Sequence, residues 1–430
     1  MKQTYWVSIY KGRSDEAESR TFSPDQQKRA QFQEWLRDAR DVKGSGGCRC
    51  RFGDELPLSI VRRGDNCHLA KYRYTGAHHK EDCRFYSRLT GEGGQQSYHQ
   101  EALRETPAGT LMVTLDVPLK KLGDAEAEPA ETPAPRPAGK TVKRNTMTLL
   151  GLLHLLWETS RYTEWHPAWE GSRNGPLMGW HLRKSAENIR AAGFRLADLM
   201  LTPAGSRGDR DAKRNADAVR LARENKTRLI AVAELQTWKP EFDTCPDRLP
   251  VRDFHGMPFM TITSSLWRAL CHSFSRELSA WKGGARTIVI AYIDPDAPRG
   301  KLVRQAALMT VSPRYIPVDS GHEMKLEALL HASERKFMKP LRYDAGLADY
   351  LPDFYLTDRA SDEDNFFALE VWGMDSEAYQ LHRQEKTVWY DQTYTPAGWW
   401  SWDALRFPDT VPPLPAPDAL LDRQHSTRMD

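Results

Sequence analysis

The chain has 430 residues, a hydrophobic content of 40% and a formal net charge of +3 at pH 7. Its length exceeds what one hydrophobic core usually organises, so about two to four domains are predicted, in an ordinary globular composition. The sequence has no apolar run of about 18 residues and no signal-like start, which favours a cytoplasmic protein that does not span a membrane. A net charge this small does not by itself indicate a nucleic-acid ligand.

The N-terminal region, residues 1–121, is predicted to be α/β, with a strand at TYWVSIY and a helix over 23–42. Four of the six cysteines lie between Cys48 and Cys83, which predicts a zinc-binding module over 48–86. Cysteines in a cytosolic protein stay reduced, so such a cluster indicates metal ligands rather than disulfides.

Zn²⁺ in a closed structural site takes four nitrogen or sulfur ligands in a tetrahedron. The preferred set consists of three cysteines and one histidine: Cys48, Cys50, His79 and Cys83. His78 could replace His79, and Cys67 with His68 is another candidate pair. A closed site of this kind is structural, because it folds a module with little core of its own. A zinc-dependent hydrolase is the weaker alternative, since it needs an open ligand position.

The segment 122–144 is rich in Ala, Pro, Glu and Lys, which predicts an extended linker and a domain boundary. Residues 145–200 are predicted to form three helices in a helix-turn-helix-like or winged-helix-like unit. A helical bundle with a tryptophan-rich core explains the same pattern equally well. Residues 201–312 are predicted to be mixed α/β, with strands at TRLIAVAEL, RTIVIAYID and KLVRQAALMTV and no assigned role.

Residues 313–410 contain two apolar strands, LPDFYL and FFALEVW, which carry the carboxylates Asp353 and Glu370. If the strands pair as a hairpin, the two carboxylates converge on one face, because side chains alternate along a strand. Converging carboxylates repel each other unless a cation lies between them. Mg²⁺ is the natural choice, since it prefers carboxylate oxygens and keeps waters. Such an ion can polarise a phosphodiester and position a water, so the pair predicts phosphodiester hydrolysis.

The predicted element order over 313–405 is helix, three strands, helix, strand. With Pro352-Asp353 and Glu370, this order resembles the PD-(D/E)xK nuclease superfamily. The resemblance implies a restriction-endonuclease-like αβββαβ core and Mg²⁺-dependent cleavage of DNA, with Asp353 and Glu370 as the metal-binding acids.

One position departs from the superfamily pattern, which places a lysine two residues after the acid. This chain has Trp372 there. A cation at such a site orients the attacking water and offsets transition-state charge. In some lineages of the superfamily this cation lies on the following helix instead. Lys386 is therefore the preferred candidate for the cation here, and Arg383 is the second candidate.

A glutamate from the preceding helix often completes the site in this superfamily, and Glu323 is the candidate here. Glu323 is equally well explained as the partner of Ser320 in a capping box. Glu327, four residues later, shares its helix face and is less favoured. The tail over 411–430 is predicted to be disordered.

The whole chain also resembles a family of uncharacterised bacterial proteins, through CRC, HKEDCRFY, LLGLLHLLWE, WHPAW, IPVDS, FMKPLRYD, LPDFYL and LEVWGM. That resemblance implies an association with mobile elements or genome defence, and protein partners encoded nearby. The leading hypothesis is a metal-dependent DNA endonuclease whose zinc finger assists nucleic-acid binding. The alternative is a catalytically inactive nucleic-acid-binding or scaffold protein, which Trp372 favours. The expected fold class is multidomain α/β, with an N-terminal zinc-binding module, a helical, winged-helix-like middle and the C-terminal αβββαβ core.

Overall fold

The structure, a computed structural model, describes residues 3–11, 18–40, 46–51, 55–63, 66–71, 79–80, 83–85, 102–106, 110–120, 146–206, 208–252, 255–256, 258–297, 300–341, 350–360, 366–394 and 397–418. The chain divides into two compact units. The first is Met1–Thr90 with Met374–Val388, and the second is Gly91–Gly373 with Trp389–Asp430.

The secondary structure is mixed α/β, as the sequence predicts. The strands are β1 (Val7–Lys11), β2 (Glu18–Phe22), β3 (Gly46–Cys48), β4 (Leu56–Arg63), β5 (Asn66–Lys71), β6 (Leu103–Glu105), β7 (Leu111–Val113), β8 (Glu164–Trp165), β9 (Ile189–Ala191), β10 (Phe194–Arg195), β11 (Met200–Leu201), β12 (Leu229–Glu234), β13 (Met260–Thr261), β14 (Arg286–Ala297), β15 (Gly300–Val311), β16 (Phe337–Met338), β17 (Phe354–Ala360), β18 (Phe366–Trp372) and β19 (Trp399–Asp403). The α-helices are α1 (Ala30–Ala39), α2 (Leu149–Thr159), α3 (Gly175–Ala186), α4 (Arg210–Glu224), α5 (Ser264–Ser273), α6 (Ser275–Lys282), α7 (Gly321–Ala332) and α8 (Glu377–Tyr394). In the described part of the chain, no helix combines the length and the apolar character needed to cross a bilayer.

The first unit contains a five-stranded sheet in the order β2-β1-β3-β4-β5. Helix α1 packs on it through Phe32, Trp35, Leu36 and Ala39, whose spacing forms one apolar stripe. The short central strand β3 packs closely against its neighbours at a glycine, because a Cβ at Gly46 would lie 2.9 Å from Leu69 Cδ2 and 3.2 Å from Leu58 O. This close packing holds β3 between β1 and β4 and fixes the position of Cys48 at its end.

The second unit contains three sheets. One has the order β11-β12-β14-β15-β13, in which β14 pairs antiparallel with both β12 and β15. These central strands are the predicted ones, and β12 is buried over its whole length because it is apolar up to its last residue, Glu234. Between β12 and β14, the helical segment is divided into α5 and α6 at Phe274.

The predicted linker 122–144 lies within the range of the second unit, whereas the boundary between the units falls at Thr90 and Gly91. Strands β6 and β7, before the linker, form a second sheet with β9 and β10, which follow it. Val113 and Met147 belong to the same hydrophobic core. The segments on either side therefore fold together, and the linker itself is outside the described residues.

Residues 146–200 contain two α-helices, α2 and α3, rather than the predicted three. The segment between them forms β8 and a 3₁₀ helix at Pro167–Trp169. Eight of the eleven residues of α2 are buried, because apolar side chains surround the helix. Helix α2 is thus a core helix that packs on β14 and β15. Trp157 and Trp165 are buried in different hydrophobic cores, and Trp180 is 39% exposed, so the tryptophans do not form the single core of the alternative.

The third sheet of the second unit has the order β19-β18-β17-β16-β8. Strands β16, β17 and β18 pair antiparallel in sequence, and β19 runs parallel to β18. Helix α7 precedes the sheet, and α8 connects β18 to β19. One face of β17 packs Phe354 and Leu356 into a core with α7, and the other faces Tyr390 and Tyr394.

The tail over 411–430 differs in part from its predicted disorder. Residues 411–418 pack along the third sheet, and Leu414 contacts its core. They form four hydrogen bonds with it: Arg335 Nη1 to Pro415 O (2.6 Å), Arg359 Nη1 to Ala416 O (2.7 Å), Trp400 Nε1 to Pro413 O (3.1 Å) and Asp418 N to Asp358 O (2.7 Å). Proline-rich sequence is extended, which suits it to lie along a sheet edge. Residues 419–430 are outside the described part.

Candidate metal centre and carboxylate site

Four buried side chains of the first unit converge on one point, and they are the predicted set. The ligand atoms of Cys48, Cys50, His79 and Cys83 all lie within 4.8 Å of one another. Cys48 Sγ is 3.8 Å from Cys83 Sγ, and His79 Nδ1 is 3.4 Å from Cys50 Sγ and 3.8 Å from Cys83 Sγ. The predicted zinc ligands therefore come together in space.

Two separate segments of the backbone position these ligands. Cys48 ends β3, and Cys50 follows it after Arg49, whose amide donates to Trp6 O at 3.0 Å. Cys83 forms an isolated bridge with Gln3, and its amide donates to Lys80 O at 2.8 Å. This last bond brings the backbone of Cys83 close to Lys80, the residue after His79, so both side chains reach the same point.

The distances fit a tetrahedral zinc ion. With Zn–S bonds of about 2.3 Å, two sulfurs of a regular tetrahedron lie about 3.8 Å apart, which is the separation of Cys48 and Cys83. Three sulfurs and one imidazole nitrogen make a closed set, with no open position for a substrate. The cluster is thus suited to a structural ion and not to zinc hydrolase chemistry.

The surroundings favour the thiolate at Cys83, whereas the hydrogen bond with Cys83, and then burial, raise the pKa of Cys48. A hydrogen bond from Cys48, and a further one from His79, lower the pKa of the Cys83 thiol. Burial raises the pKa of Cys50, and the Lys80 amide opposes this by donating to Cys50 Sγ at 3.4 Å. An amide that donates to a thiolate is a typical outer contact of a zinc ligand.

The alternative ligand candidates, Cys67 and His78, are not assigned to the cluster. Cys67 is buried on β5 with the apolar core of the first unit, and it is not part of the cluster. His78 is outside the described residues. In the part of the chain that the structure describes, this cluster is the one group of three or more His, Cys, Asp or Glu side chains close enough to hold an ion.

The second unit brings together the other predicted pair. The register of β17 and β18 sets Phe354 opposite Leu369, so continuing it by one residue sets Asp353 opposite Glu370. Directly opposite residues of an antiparallel pair project from the same face, with Cβ atoms about 4.5–5.5 Å apart. Asp353 itself lies one residue before β17 and Glu370 lies on β18, so the predicted convergence of the two carboxylates rests on this continuation.

Hydrogen bonds hold both carboxylates. Asp353 Oδ2 accepts from the Val371 amide at 2.7 Å, across the strand pair. Glu370 is buried, and its Oε2 accepts from the Tyr390 hydroxyl at 2.8 Å. Burial raises the pKa of Tyr390, and Glu370 and then Asp353 raise it further, so both carboxylates act on the same hydroxyl.

The structure adds a cation that the sequence reasoning missed. Lys339, which follows β16, is buried, and its Nζ lies 2.6 Å from Glu323 Oε2 and 3.1 Å from Asp319 Oδ2. The same Nζ is 3.9 Å from Asp353 Oδ1. Burial acts to lower the pKa of Lys339, but Asp319, Glu323 and Asp353 together raise it above its ordinary value. The sequence indicates this cation through a lysine within the apolar run FMKPL, because a lysine buried among apolar residues needs a charged partner.

The remaining predicted acids, Glu323 and Glu327, form hydrogen bonds and ion pairs with other residues of the second unit. Ser320 Oγ accepts from the Glu323 amide at 3.1 Å, but Glu323 Oε2 accepts from the Asp319 amide, one residue before the cap. Only half of the predicted capping box therefore forms between Glu323 and Ser320. Glu327 is fully buried and binds Arg314 and Ser312, which gives it a structural explanation.

Trp372, at the expected lysine position, is buried. Lys386 is buried and Arg383 is half-buried on α8, in the segment Met374–Val388 that groups with the first unit. The role predicted for these two cations, beside Asp353 and Glu370, stays a prediction.

The fold and these sites define a mixed α/β protein with a buried Cys/His cluster suited to a metal ion. The chain belongs to the family described as "Protein of unknown function (DUF1173)", which matches residues 20–404. The predicted resemblance to an uncharacterised family is thereby confirmed. Comparisons with curated proteins and with solved structures give no match.

Proposed function

We propose that the protein is a metal-dependent nuclease of the PD-(D/E)xK type that hydrolyses phosphodiester bonds in DNA. Asp353 and Glu370 hold the Mg²⁺ ion. The observation that carries this proposal is the hydrogen bond that Asp353 Oδ2 accepts from the amide of Val371, which follows Glu370 on the neighbouring strand β18. Mg²⁺ commonly binds one or two protein carboxylates and completes its shell with waters and substrate phosphate, so two ligands are sufficient.

The topology supports a restriction-endonuclease-like core. The chain order is α7, β16, β17, β18, α8, β19, and the four strands are neighbours in that same order within the sheet. A core of this type requires the two acid-bearing strands to be adjacent, and β17 and β18 are. Bound Mg²⁺ would polarise the phosphodiester and lower the pKa of a coordinated water.

The Cys/His cluster has a supporting role in this proposal. A closed zinc site stabilises the fold of the first unit, which can then contribute to nucleic-acid binding. Six reduced cysteines are consistent with a cytoplasmic location. We extend the proposal to a role in DNA mobility or defence, with protein partners encoded nearby.

Cleavage assays with variants test the proposal. Purified zinc-loaded protein is incubated with linear, nicked and single-stranded DNA and with RNA, in Mg²⁺ or Mn²⁺. Wild type should cleave DNA, and Asp353→Asn and Glu370→Gln should each reduce the rate at least about 100-fold. Asp409→Asn is the matched control, because Asp409 is 89% exposed and its carboxylate pairs with the exposed Lys325. A wild type that cleaves none of these substrates, or variants as fast as wild type, would overturn it.

One observation favours a second candidate, a nucleic-acid-binding protein without catalysis. Trp372 fills the expected lysine position with a buried ring, and Glu370 already accepts a hydrogen bond from Tyr390. In that case DNA binding should be unchanged in Asp353→Asn, and no cleavage should occur. Fluorescence anisotropy with labelled DNA separates the two candidates when it is measured beside the cleavage assay.

A further inference from the structure

Each of the four residues in the Cys/His cluster is followed directly in the chain by a basic residue. These basic residues, referred to below as the basic rim, are Arg49, Arg51, Lys80 and Arg84. All four are exposed, whereas the cluster residues before them are buried. Consecutive Cα atoms are about 3.8 Å apart, and the four ligand atoms lie within 4.8 Å of one another. The cluster therefore holds the backbone of four cations around a single point.

Acidic partners are few around the basic rim. Arg49 Nε lies 3.6 Å from the Glu55 carboxylate, which also accepts hydrogen bonds from two hydroxyl groups. Arg51 and Lys80 form no ion pair with any residue that the structure describes, and residues 81–82 lie outside that part of the chain. Exposed arginine and lysine side chains of this kind are suited to phosphate, because arginine binds it with two parallel hydrogen bonds and lysine as a point charge.

An exposed tryptophan lies beside the basic rim. Trp6 O accepts a hydrogen bond from the Arg49 amide at 3.0 Å, which joins the N-terminal segment to the first pair of ligands. The preceding ring, Tyr5, has its centre 5.7 Å from Lys80 Nζ, on the segment that carries the other two ligands. Trp6 is 51% exposed, so much of this large aromatic side chain faces solvent. Cations and an exposed ring are thus brought together at one place in the first unit.

We propose that Trp6 and the basic rim bind single-stranded nucleic acid, with DNA as the ligand. The cations contact phosphates along the strand, and the Trp6 ring stacks on an unpaired base. Binding sites for single strands combine a basic groove with aromatic side chains, because every base has a π face. Bases in a duplex are covered by their neighbours, so an exposed ring favours a single strand. This inference rests on the nucleic-acid ligand of the proposed function, but not on an ion at Asp353 and Glu370.

Fluorescence anisotropy with defined strands tests this inference. Full-length, zinc-loaded protein is titrated against labelled oligothymidine of about 20 nucleotides, which exceeds the roughly 4–16 nucleotides that one single-strand-binding OB fold covers. An abasic strand of equal length presents the same phosphates without bases. A duplex of equal length and oligouridine complete the set. No Mg²⁺ or Mn²⁺ is added, so binding is measured apart from cleavage.

The variants separate stacking from charge. Trp6→Leu should weaken binding of oligothymidine at least about fivefold and leave binding of the abasic strand unchanged, because only stacking is lost. Trp6→Phe keeps an aromatic ring and should retain more of the binding than Trp6→Leu.

The double variant Arg51→Gln/Lys80→Gln should weaken binding of both strands. The slope of log affinity against log salt should fall by about 1.4, since each phosphate contact contributes about 0.7 for a single strand. Arg37→Gln is the control, because Arg37 is exposed on α1 and follows none of the four ligands. It removes a positive charge from the same unit and should leave the binding of both strands unchanged.

The outcomes decide the inference in either direction. Equal binding of oligothymidine by wild type, Trp6→Leu and the double variant overturns it, and so does an equal loss in Arg37→Gln. Tighter binding of the duplex overturns the single-stranded ligand, and tighter binding of oligouridine overturns DNA in favour of RNA. Zinc content is measured beside each titration. If Trp6→Leu loses its zinc, the salt slope of the double variant decides the inference.

The same measurements distinguish this inference from the proposed function. A protein that binds oligothymidine through Trp6 and the basic rim but cleaves no DNA supports the inference and overturns the nuclease. A protein that cleaves DNA, while the variants bind oligothymidine as tightly as wild type, overturns the inference and leaves the nuclease supported.

Discussion

Lys339 and Glu323 form a buried ion pair, with Nζ and Oε2 2.6 Å apart and side chains only 4% and 8% exposed. Taking both charges out of water costs several kcal/mol, and only their mutual attraction and added hydrogen bonds offset this. The pair is therefore a site where removal of one partner leaves the other as an uncompensated buried charge. It also joins α7 to the strand that lies beside Asp353.

A double-mutant cycle should detect this coupling. Lys339→Met alone is expected to lower the free energy of unfolding by about 3–5 kcal/mol, because it leaves Glu323 unpaired. Adding Glu323→Gln should recover part of the loss, with a coupling energy of at least about 1 kcal/mol. Urea unfolding of the four proteins measures both quantities. Strictly additive single effects would show that the two groups do not interact, and Lys325→Met should change stability by no more than about 0.5 kcal/mol.

The Cys/His cluster should bind one zinc ion per chain. Cys83→Ser removes one of its four ligands, so zinc content measured by mass spectrometry is expected to fall to a small fraction of the wild-type value. Cys67→Ser is the matched control, since Cys67 is buried in the same unit but lies outside the cluster. A wild type free of zinc, or equal zinc loss in both variants, would contradict the assignment.

His154, on the core helix α2, should make the second unit sensitive to acid. Burial lowers its pKa to about 4, with Asp319 opposing and Lys339 adding to the shift. The unfolded chain takes up this proton near pH 6.5 and the folded chain only near pH 4, so stability falls as pH drops through that window.

The His154 contribution should amount to about 2 kcal/mol between pH 7 and pH 5, and it should be absent from His154→Gln. Urea unfolding of both proteins at the two pH values gives the difference. His331→Gln is the control, because His331 is partly exposed and pairs with the exposed Glu170. An equal loss of stability in wild type and His154→Gln would exclude this role.

The first part of the tail should be needed for stability. A chain ending after Thr410 loses the four hydrogen bonds that residues 413–418 make with the third sheet. The expected loss is about 2–4 kcal/mol, at roughly 1 kcal/mol per bond. A chain ending after Asp418 keeps all four and serves as the control. Thermal unfolding compares the two, and indistinguishable melting temperatures would show that the contacts contribute nothing.

Local sequence patterns predicted much of both sites. The spacing of Cys48, Cys50, His79 and Cys83 identified the cluster, since ligands of one ion must be few, close and of the right chemistry. Alternation along two apolar strands predicted that Asp353 and Glu370 lie near each other, and Asp353 Oδ2 accepts a hydrogen bond from the amide of Val371, the residue after Glu370. In each case the residues lie within a short segment or near two neighbouring strands. There the spacing along the chain and the alternation of side chains determine which residues come close together.

Contacts between distant segments could not be predicted in this way. Lys339 meets Glu323 and Asp353 only after α7 folds onto the sheet, and nothing in FMKPL specifies which acids surround it. The same limit explains why residues 122–144 were predicted to be a domain boundary. A Pro-rich segment indicates an extended chain, but the pairing of β7 with β9 across it depends on strands far apart in sequence.

Isothermal titration with Mg²⁺ and Mn²⁺ tests the central claim most directly, namely that Asp353 and Glu370 jointly hold a divalent ion. Zinc-loaded wild type and the double variant Asp353→Asn/Glu370→Gln are compared in the same buffer. The account predicts that wild type binds one ion and that the double variant, folded to the same extent, binds none. Equal binding heats in the two proteins, or no binding by wild type, would contradict it.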